Sequence, residues 1–108
     1  MTGLASSRAN PSLRHVVCVT WKVGTSPGAV TALCEALAGL PALIPEIQGY
    51  AFGTDLGLAD ANADFAIVAD FEDIAAWRRY QEHPEHQRVL TELIKPNLES
   101  RTAVQIAH

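Results

Sequence analysis

Residues 77–90, WRRYQEHPEHQRVL, contain the helix break around which the predicted fold is arranged. His83 precedes Pro84, and the proline ring pushes the backbone of the preceding residue out of the helical region. Pro84 suits the first position of a new helix, where its missing N–H costs nothing. In such a helix, His86 shares a face with the aliphatic residues three, four and seven positions further on. The spacing therefore predicts that His86 points inward, where an imidazole needs a hydrogen-bond partner or a ligand.

The composition is that of one soluble globular domain: 108 residues, 48% apolar and 19% charged. A net charge of −4 argues against binding to nucleic acid or to an anionic membrane surface, both of which require clustered Lys and Arg. No apolar run approaches the roughly 20 residues of a membrane-spanning helix. We expect a flexible tail over residues 1–12 and a single domain over residues 13–108. Cys18 and Cys34 fall on apolar faces, which favours free thiols in a reducing cytoplasm over a disulfide.

Four segments are rich in β-branched and aromatic residues and predict strands: residues 13–23, 47–54, 64–71 and 100–107. In the first segment, His15, Val17, Val19 and Trp21 share one face. A glycine within the second segment, Gly49, indicates a bulge or a close backbone approach. The short link between the second and third segments predicts an antiparallel pair.

Three helices are predicted between these strands. The first is capped by Ser26, has Pro27 at its first position and ends at Gly39 and Pro41. The second covers residues 74–82, and the third runs from Pro84 to about Lys95, where Pro96 stops it.

The resulting order, β-α-β-β-α-(α)-β, predicts an α+β fold of the ferredoxin-like type, an antiparallel four-stranded sheet with helices on one face. The other face would carry Val16, Cys18, Ala66 and Val68, a set too apolar for contact with water. Two such sheets packed together would form a closed dimeric α/β barrel. We therefore expect a homodimer formed through the exposed sheet face.

This arrangement resembles the stress-responsive dimeric α/β-barrel (Dabb) family. The resemblance rests on four segments in the same order, which with the last strand span almost the whole chain: RHVV at residues 14–17, GTSP at 24–27, LIPEI at 43–47 and YQEHPEH at 80–86. The family includes stress-induced plant proteins without a clear activity. It also includes a plant polyketide cyclase that forms an aromatic ring by aldol condensation.

The resemblance implies that His86 and Tyr80 are the catalytic pair and that His15 is a polar group of the pocket. Two further polar positions of the cyclase pocket correspond to Leu37 and Phe65. The pocket should therefore be more apolar than that of the cyclase, with a small apolar or polyketide-like ligand.

Burial and the positive end of the helix dipole both disfavour a charged His86. We therefore expect a neutral imidazole that can accept a proton at pH 7, with Tyr80 as donor to a developing oxyanion. The alternative is a structural His86 that bonds a carbonyl and joins helix to sheet. His83 is expected to be exposed or to cap a helix.

The predicted ligand-binding residues are His15, Trp21, Leu37, Phe65, Trp77 and Leu90, although for Trp21, Phe65 and Trp77 a core position is favoured over the pocket wall. No cofactor is expected, and no His and carboxylate spacing matches a metal site.

Three functions fit these features. The first is a cofactor-free acid–base catalyst that removes a proton next to a carbonyl, of the polyketide cyclase kind. The second is a non-catalytic small-molecule-binding or stress-responsive dimer, and the third is a structural dimer with a vestigial pocket. The fold by itself is also compatible with cofactor-free oxygenation of quinols, as in a related barrel family.

Overall fold

The structure, a computed structural model, describes residues 12–108 and contains four strands and three α-helices in the predicted order. The elements are β1 (Leu13–Trp21), α1 (Pro27–Leu43), β2 (Gly49–Thr54), β3 (Phe65–Phe71), α2 (Ile74–Glu82), α3 (Pro84–Val89) and β4 (Leu98–Ala107). A π-helical turn (Leu90–Ile94) and a 3-10 turn (Lys95–Asn97) join α3 to β4. The tail predicted for residues 1–12 lies outside the described residues, apart from Ser12.

The four strands form one antiparallel sheet in the order β2-β3-β1-β4. The first and last strands of the chain, β1 and β4, are therefore neighbours. Strand β1 lies in the interior of the sheet, between β3 and β4. This topology confirms the predicted ferredoxin-like α+β fold and the antiparallel pairing of β2 with β3.

The two faces of the sheet differ in burial. In β1 and β3 every second residue is buried under the helices, including His15, Val17 and Val19. The residues between them are only half-buried. The sheet register aligns four apolar residues across this second face, in the row Ala51, Val68, Val16 and Val104. The described chain thus has an open apolar sheet face opposite its helices.

Gly49 of β2 lies against a side chain of the neighbouring strand β3. It is paired with Asp70, and a Cβ atom at residue 49 would lie 2.8 Å from Oδ2 of Asp70. That carboxylate accepts hydrogen bonds from Nε and Nη2 of Arg14, at 2.8 and 3.1 Å. Glycine at this position therefore leaves room for the ion pair at the edge of the open sheet face.

The first helix begins as predicted but is longer than predicted. Ser26 caps α1 by accepting a hydrogen bond from the amide of Ala29. The predicted end at Gly39 and Pro41 is wrong, because α1 continues to Leu43 with Pro41 in its last turn. The backbone N–H of Ile44 closes this turn on the carbonyl of Leu40 at 2.8 Å, and the burial of both side chains outweighs the helix-breaking tendency of the proline.

The third helix is also different from the prediction. The prediction of a continuous helix from Pro84 to about Lys95 is wrong, since α3 ends at Val89 and a wider π-helical turn follows. In this turn the N–H of Lys95 bonds to the carbonyl of Leu90, five residues earlier. Pro96 has no N–H, and its ring would clash with the carbonyl four residues before it in a regular helix. The wider turn avoids that clash.

The remaining differences are small. The first strand ends at Trp21 instead of residue 23, β2 begins at Gly49 instead of residue 47, and β4 begins two residues early at Leu98. Cys18 and Cys34 are both free and half-buried. Within residues 12–108, no helix has the length and apolar character needed to cross a membrane.

The helix-facing core predicts a clear contrast between two leucines of α1. Leu33 is 1% exposed and Leu43 is 52% exposed. Leu33→Ala should lower the free energy of unfolding by about 2–5 kcal/mol because it leaves a cavity in the core, whereas Leu43→Ala should change it by less than about 0.5 kcal/mol. Urea denaturation at one protein concentration measures both values. Equal effects of the two substitutions would contradict this placement of the core.

Candidate functional site

A cavity of about 240 Å³ lies between the sheet and the helices. Every helix and three of the four strands contribute to its wall. The lining residues are His15, Val17, Val19, Leu37, Ile67, Tyr80, Gln81, His86, Val89, Leu90, Ile94, Lys95, Leu98 and Arg101. The π-helical turn supplies Leu90 and Ile94 and directs Lys95 into the wall. The cavity is therefore mainly aliphatic, with a small number of polar groups.

The break between α2 and α3 brings Tyr80 and His86 together. His83 ends α2 in an extended conformation and caps α3, because its Nδ1 accepts a hydrogen bond from the amide of Glu85 at 3.1 Å. This confirms the expected capping role of His83. Beyond the break, the ring centroids of Tyr80 and His86 are 4.1 Å apart and the rings are tilted by 37°. The rings of Tyr80 and His86, which belong to different helices, are thus in contact at the cavity wall.

Hydrogen bonding defines the tautomer of His86. Its Nδ1 lies 3.3 Å from the backbone carbonyl of Gln81, and a carbonyl only accepts, so Nδ1 carries the proton. Nε2 then bears the lone pair and has no hydrogen-bond partner among the described residues. Burial lowers the pKa of His86; the bond to Gln81 opposes this shift, and the nearby charges of His83 and Arg101 add to it. His86 is consequently a neutral base at pH 7.

Tyr80 is 2% exposed, and its hydroxyl lies 3.2 Å from that of Tyr50 on β2. Burial raises the pKa of Tyr80 far above its ordinary value, and the hydroxyl of Tyr50 adds to the shift. Tyr80 therefore keeps its proton at every physiological pH. The upward shift that Tyr50 adds corresponds to Tyr80 as the donor of this bond, although either hydroxyl can donate. Once Tyr50 takes the donor role, the proton of Tyr80 is free for an oxygen atom in the cavity.

His15 is held in the other tautomer by β4. The side-chain amide of Gln105 donates to Nδ1 of His15 at 2.9 Å, so the proton of His15 lies on Nε2. Burial lowers the pKa of His15 to about 4, and the charge of Arg101 and the neighbouring His86 add to the shift. His15 is thus a neutral hydrogen-bond donor, whereas His86 is a neutral acceptor.

Five of the predicted site residues line the cavity: His15, Leu37, Tyr80, His86 and Leu90. The other three, Trp21, Phe65 and Trp77, are not part of its wall. The rings of Trp21 and Phe65 pack together with centroids 5.8 Å apart. The Trp77 ring lies 5.9 Å from that of His15, and its Nε1 is buried without a partner within the described residues. The structure places these three aromatic residues in and around the core, the position favoured for them over the cavity wall.

Several polar groups of the site were missed by sequence reasoning. Tyr50 and Gln105 hold the side chains of Tyr80 and His15, while Lys95 and Arg101 line the cavity. The alternation of β4 contained a usable signal, since Arg101 and Gln105 are four residues apart and lie on one face of the strand. The register then places Gln105 opposite His15, on the helix side of the sheet.

The fold and this cavity define a class: ferredoxin-like α+β domains with a ligand-sized cavity between sheet and helices. The family model of the Stress responsive A/B Barrel Domain (Dabb) matches residues 13–107. The chain belongs to this family.

Three known proteins illustrate the relationship. A dimeric ferredoxin-like protein of unknown function from Thermobifida fusca has a TM-score of 0.85 and 44% identity, covering 93% of each chain. The hydroxynitrile lyase from Passiflora edulis has a TM-score of 0.80 at 19% identity, covering 92% of this chain and 94% of its own. The stress-response A/B barrel domain-containing protein HS1 of Arabidopsis thaliana is 26% identical over 85 residues, which are 77% of this chain and 78% of HS1.

The two cavity histidines predict how stability depends on pH. Their pKa values are lower in the folded protein than the ordinary value of about 6.5. The unfolded chain therefore binds more protons below this pH, and the free energy of unfolding should fall as the pH is lowered from about 7 to about 5.5. Urea denaturation at the two pH values measures the slope, and His15→Gln should reduce it. An NMR titration in which His15 has a pKa at or above about 6.5 would contradict the burial of this ring.

Proposed function

We propose that this protein is a cofactor-free acid–base catalyst that removes a proton from a carbon next to a carbonyl, as in an aldol-type polyketide cyclisation. One observation carries the proposal: His86 is buried at the cavity wall, with Nδ1–H held by the carbonyl of Gln81 and Nε2 left as a base. A neutral base with a pKa near or below the working pH is suited to general-base catalysis. Tyr80, which contacts His86, provides a proton donor at the same wall.

The first step is a proton transfer. Nε2 of His86 takes the proton, the C–H electron pair moves into the new carbon–carbon double bond, and the carbonyl oxygen becomes an enolate oxygen. Tyr80 donates a hydrogen bond to this oxygen, supported by Tyr50. The imidazolium that forms keeps its Nδ1–H on Gln81, a bond that favours the charged ring.

The second step forms a carbon–carbon bond. The enolate carbon attacks a second carbonyl of the same ligand, and the protonated His86 returns its proton to the new alkoxide. The Nε2–H of His15 is a second donor at the cavity wall for that oxygen. No electron leaves or enters the ligand, so these two steps need no redox partner. The aliphatic wall limits the access of water to the enolate.

The comparisons support a catalytic use of this fold without specifying the reaction. The Passiflora edulis protein is a hydroxynitrile lyase, so the same architecture holds an enzyme active site. The alternative function, a non-catalytic small-molecule-binding or stress-responsive dimer, would use the same cavity and differs only in the absence of turnover.

The proton-transfer step can be tested without knowledge of the natural substrate. 2-Heptanone is a neutral ketone that is small enough for a cavity of this size. The wild-type protein should accelerate the exchange of its α-protons in D₂O, followed by NMR, and His86→Ala should reduce the rate to that of buffer. Tyr80→Phe should lower the rate about tens- to thousandfold because it removes the donor to the enolate oxygen.

His108→Ala is the matched control for His86→Ala. His108 follows β4, is exposed, bonds to Arg14 and is not part of the cavity wall. Its substitution also removes an imidazole and should leave the exchange rate unchanged. Exchange that persists in His86→Ala would contradict the proposal. A wild-type protein that binds the ketone without exchange would favour the non-catalytic alternative.

We further propose that two copies of the chain form a homodimer through the open sheet face. This face carries Val16 and Val68 in its centre, and Val104 and Ile106 at its edge are 51% and 50% exposed. A small domain cannot cover such a surface by itself. The Thermobifida fusca protein, 44% identical, is described as dimeric, which supports a second copy as the partner.

Val68→Lys should disrupt this dimer, because it would bury an unpaired charge between the two sheets. Light scattering at micromolar concentration should give the mass of two chains for wild type and of one chain, or of aggregated unfolded protein, for Val68→Lys. Ala38→Lys is the control, since Ala38 is exposed on α1 and its variant should remain dimeric. A monomeric wild-type protein would contradict the role of this face.

A further inference from the structure

Two cations of the cavity wall have no ion-pair partner in the part of the chain that the structure describes. Lys95 and Arg101 both line the cavity, and neither is paired with a carboxylate within residues 12–108. By contrast, Arg14, Arg79 and Arg88 each form a salt bridge. Among the described residues the wall contains no Asp or Glu, although the chain as a whole has a net charge of −4. The cavity is thus locally cationic in an acidic protein.

The fold directs both cations to this place. Lys95 directly follows the π-helical turn and precedes Pro96. This turn is wider than a regular helical turn, because its hydrogen bond spans five residues instead of four. Arg101 is paired with Val19, and Val19 is buried on the helix side of the sheet. The positive charge of Arg101 is close enough to both imidazoles to lower the pKa of His15 and of His86. The guanidinium of Arg101 is therefore close to the part of the cavity that contains the proposed catalytic groups.

Both cationic side chains are exposed at the level of the whole residue, whereas His15 and His86 are 2% and 6% exposed. The cations therefore mark the solvent side of the cavity, and the histidines mark its interior. The wall between them is aliphatic, with Val17, Val19, Leu37 and Ile67 among its residues. A ligand that matches this order has an apolar body and an anionic group at one end.

We propose that the cavity binds a small amphipathic carboxylate, with its apolar body inside and its carboxylate between Lys95 and Arg101. This inference rests on the proposed function, since it assigns a substrate class to the same site. A guanidinium can bind a carboxylate through two parallel hydrogen bonds, and an ammonium adds a point charge. The reacting carbonyl would then lie at the other end of the ligand, beside Tyr80 and His86.

Hexanoate and its neutral counterpart hexanamide test the proposal. At about pH 7 hexanoate is ionised, and the two molecules differ little in size. NMR titration should show both probes shifting the signals of cavity residues, with hexanoate binding more tightly. Raising the salt concentration from about 0.01 M to about 0.5 M should weaken the binding of hexanoate and leave that of hexanamide unchanged, because salt screens exposed charges.

Substitutions of Arg101 and Lys95 test whether these two charges bind the carboxylate of hexanoate. Arg101→Gln and Lys95→Gln should each weaken hexanoate binding about two- to fivefold, and the double variant about tenfold or more. Hexanamide binding should stay the same in all three. Arg78→Gln is the control: it removes the same charge from an exposed residue of α2 that is not part of the cavity wall, and it should leave hexanoate binding unchanged.

Equal binding of the two probes, or hexanoate binding that is insensitive to Arg101→Gln and Lys95→Gln, would overturn the carboxylate proposal. Absence of cavity shifts with either probe would overturn it as well. The exchange assay with 2-heptanone separates these results from the proposed catalysis, because that ketone carries no charge. Exchange that still depends on His86 would leave the acid–base function in place.

Discussion

The site depends on the break in the helix at Pro84. On one continuous helix, residues 80 and 86 would point about 120° apart, since successive residues are rotated by about 100°. The proline ends the first helix, and His83 adopts an extended backbone and caps the second. The new helix axis directs His86 towards Tyr80, and the two ring centroids lie 4.1 Å apart. One backbone constraint thus places the imidazole of His86 and the phenol of Tyr80, the proposed base and acid, side by side.

Local rules were sufficient for most of the fold. The β-branched segments predicted all four strands, and the split order predicted the ferredoxin-like sheet. The errors lie where tertiary packing or a missing N–H overrides propensity. At the end of α1, burial of Leu40 and Ile44 extends a helix through Pro41. After Val89, a π-helical turn precedes the proline at residue 96, a feature that periodicity does not reveal.

The site was predicted less completely than the fold. The helix break and the apolar spacing pointed to His86, and the family resemblance pointed to Tyr80 and His15. The supporting groups come from elements distant in sequence, and only the strand register shows their positions. Gln105 meets His15 because β1 pairs with β4, and Tyr50 meets Tyr80 across the gap between sheet and helix.

His86 is a neutral imidazole with its proton on Nδ1, which leaves Nε2 as the proposed base. The most direct test is a ¹⁵N-edited NMR spectrum of the histidine side chains at pH 7, assigned by comparison with His86→Gln. The structure predicts a protonated Nδ1 and an unprotonated Nε2, in accordance with the bond to Gln81. A proton on Nε2, or on both nitrogens at this pH, would contradict the account.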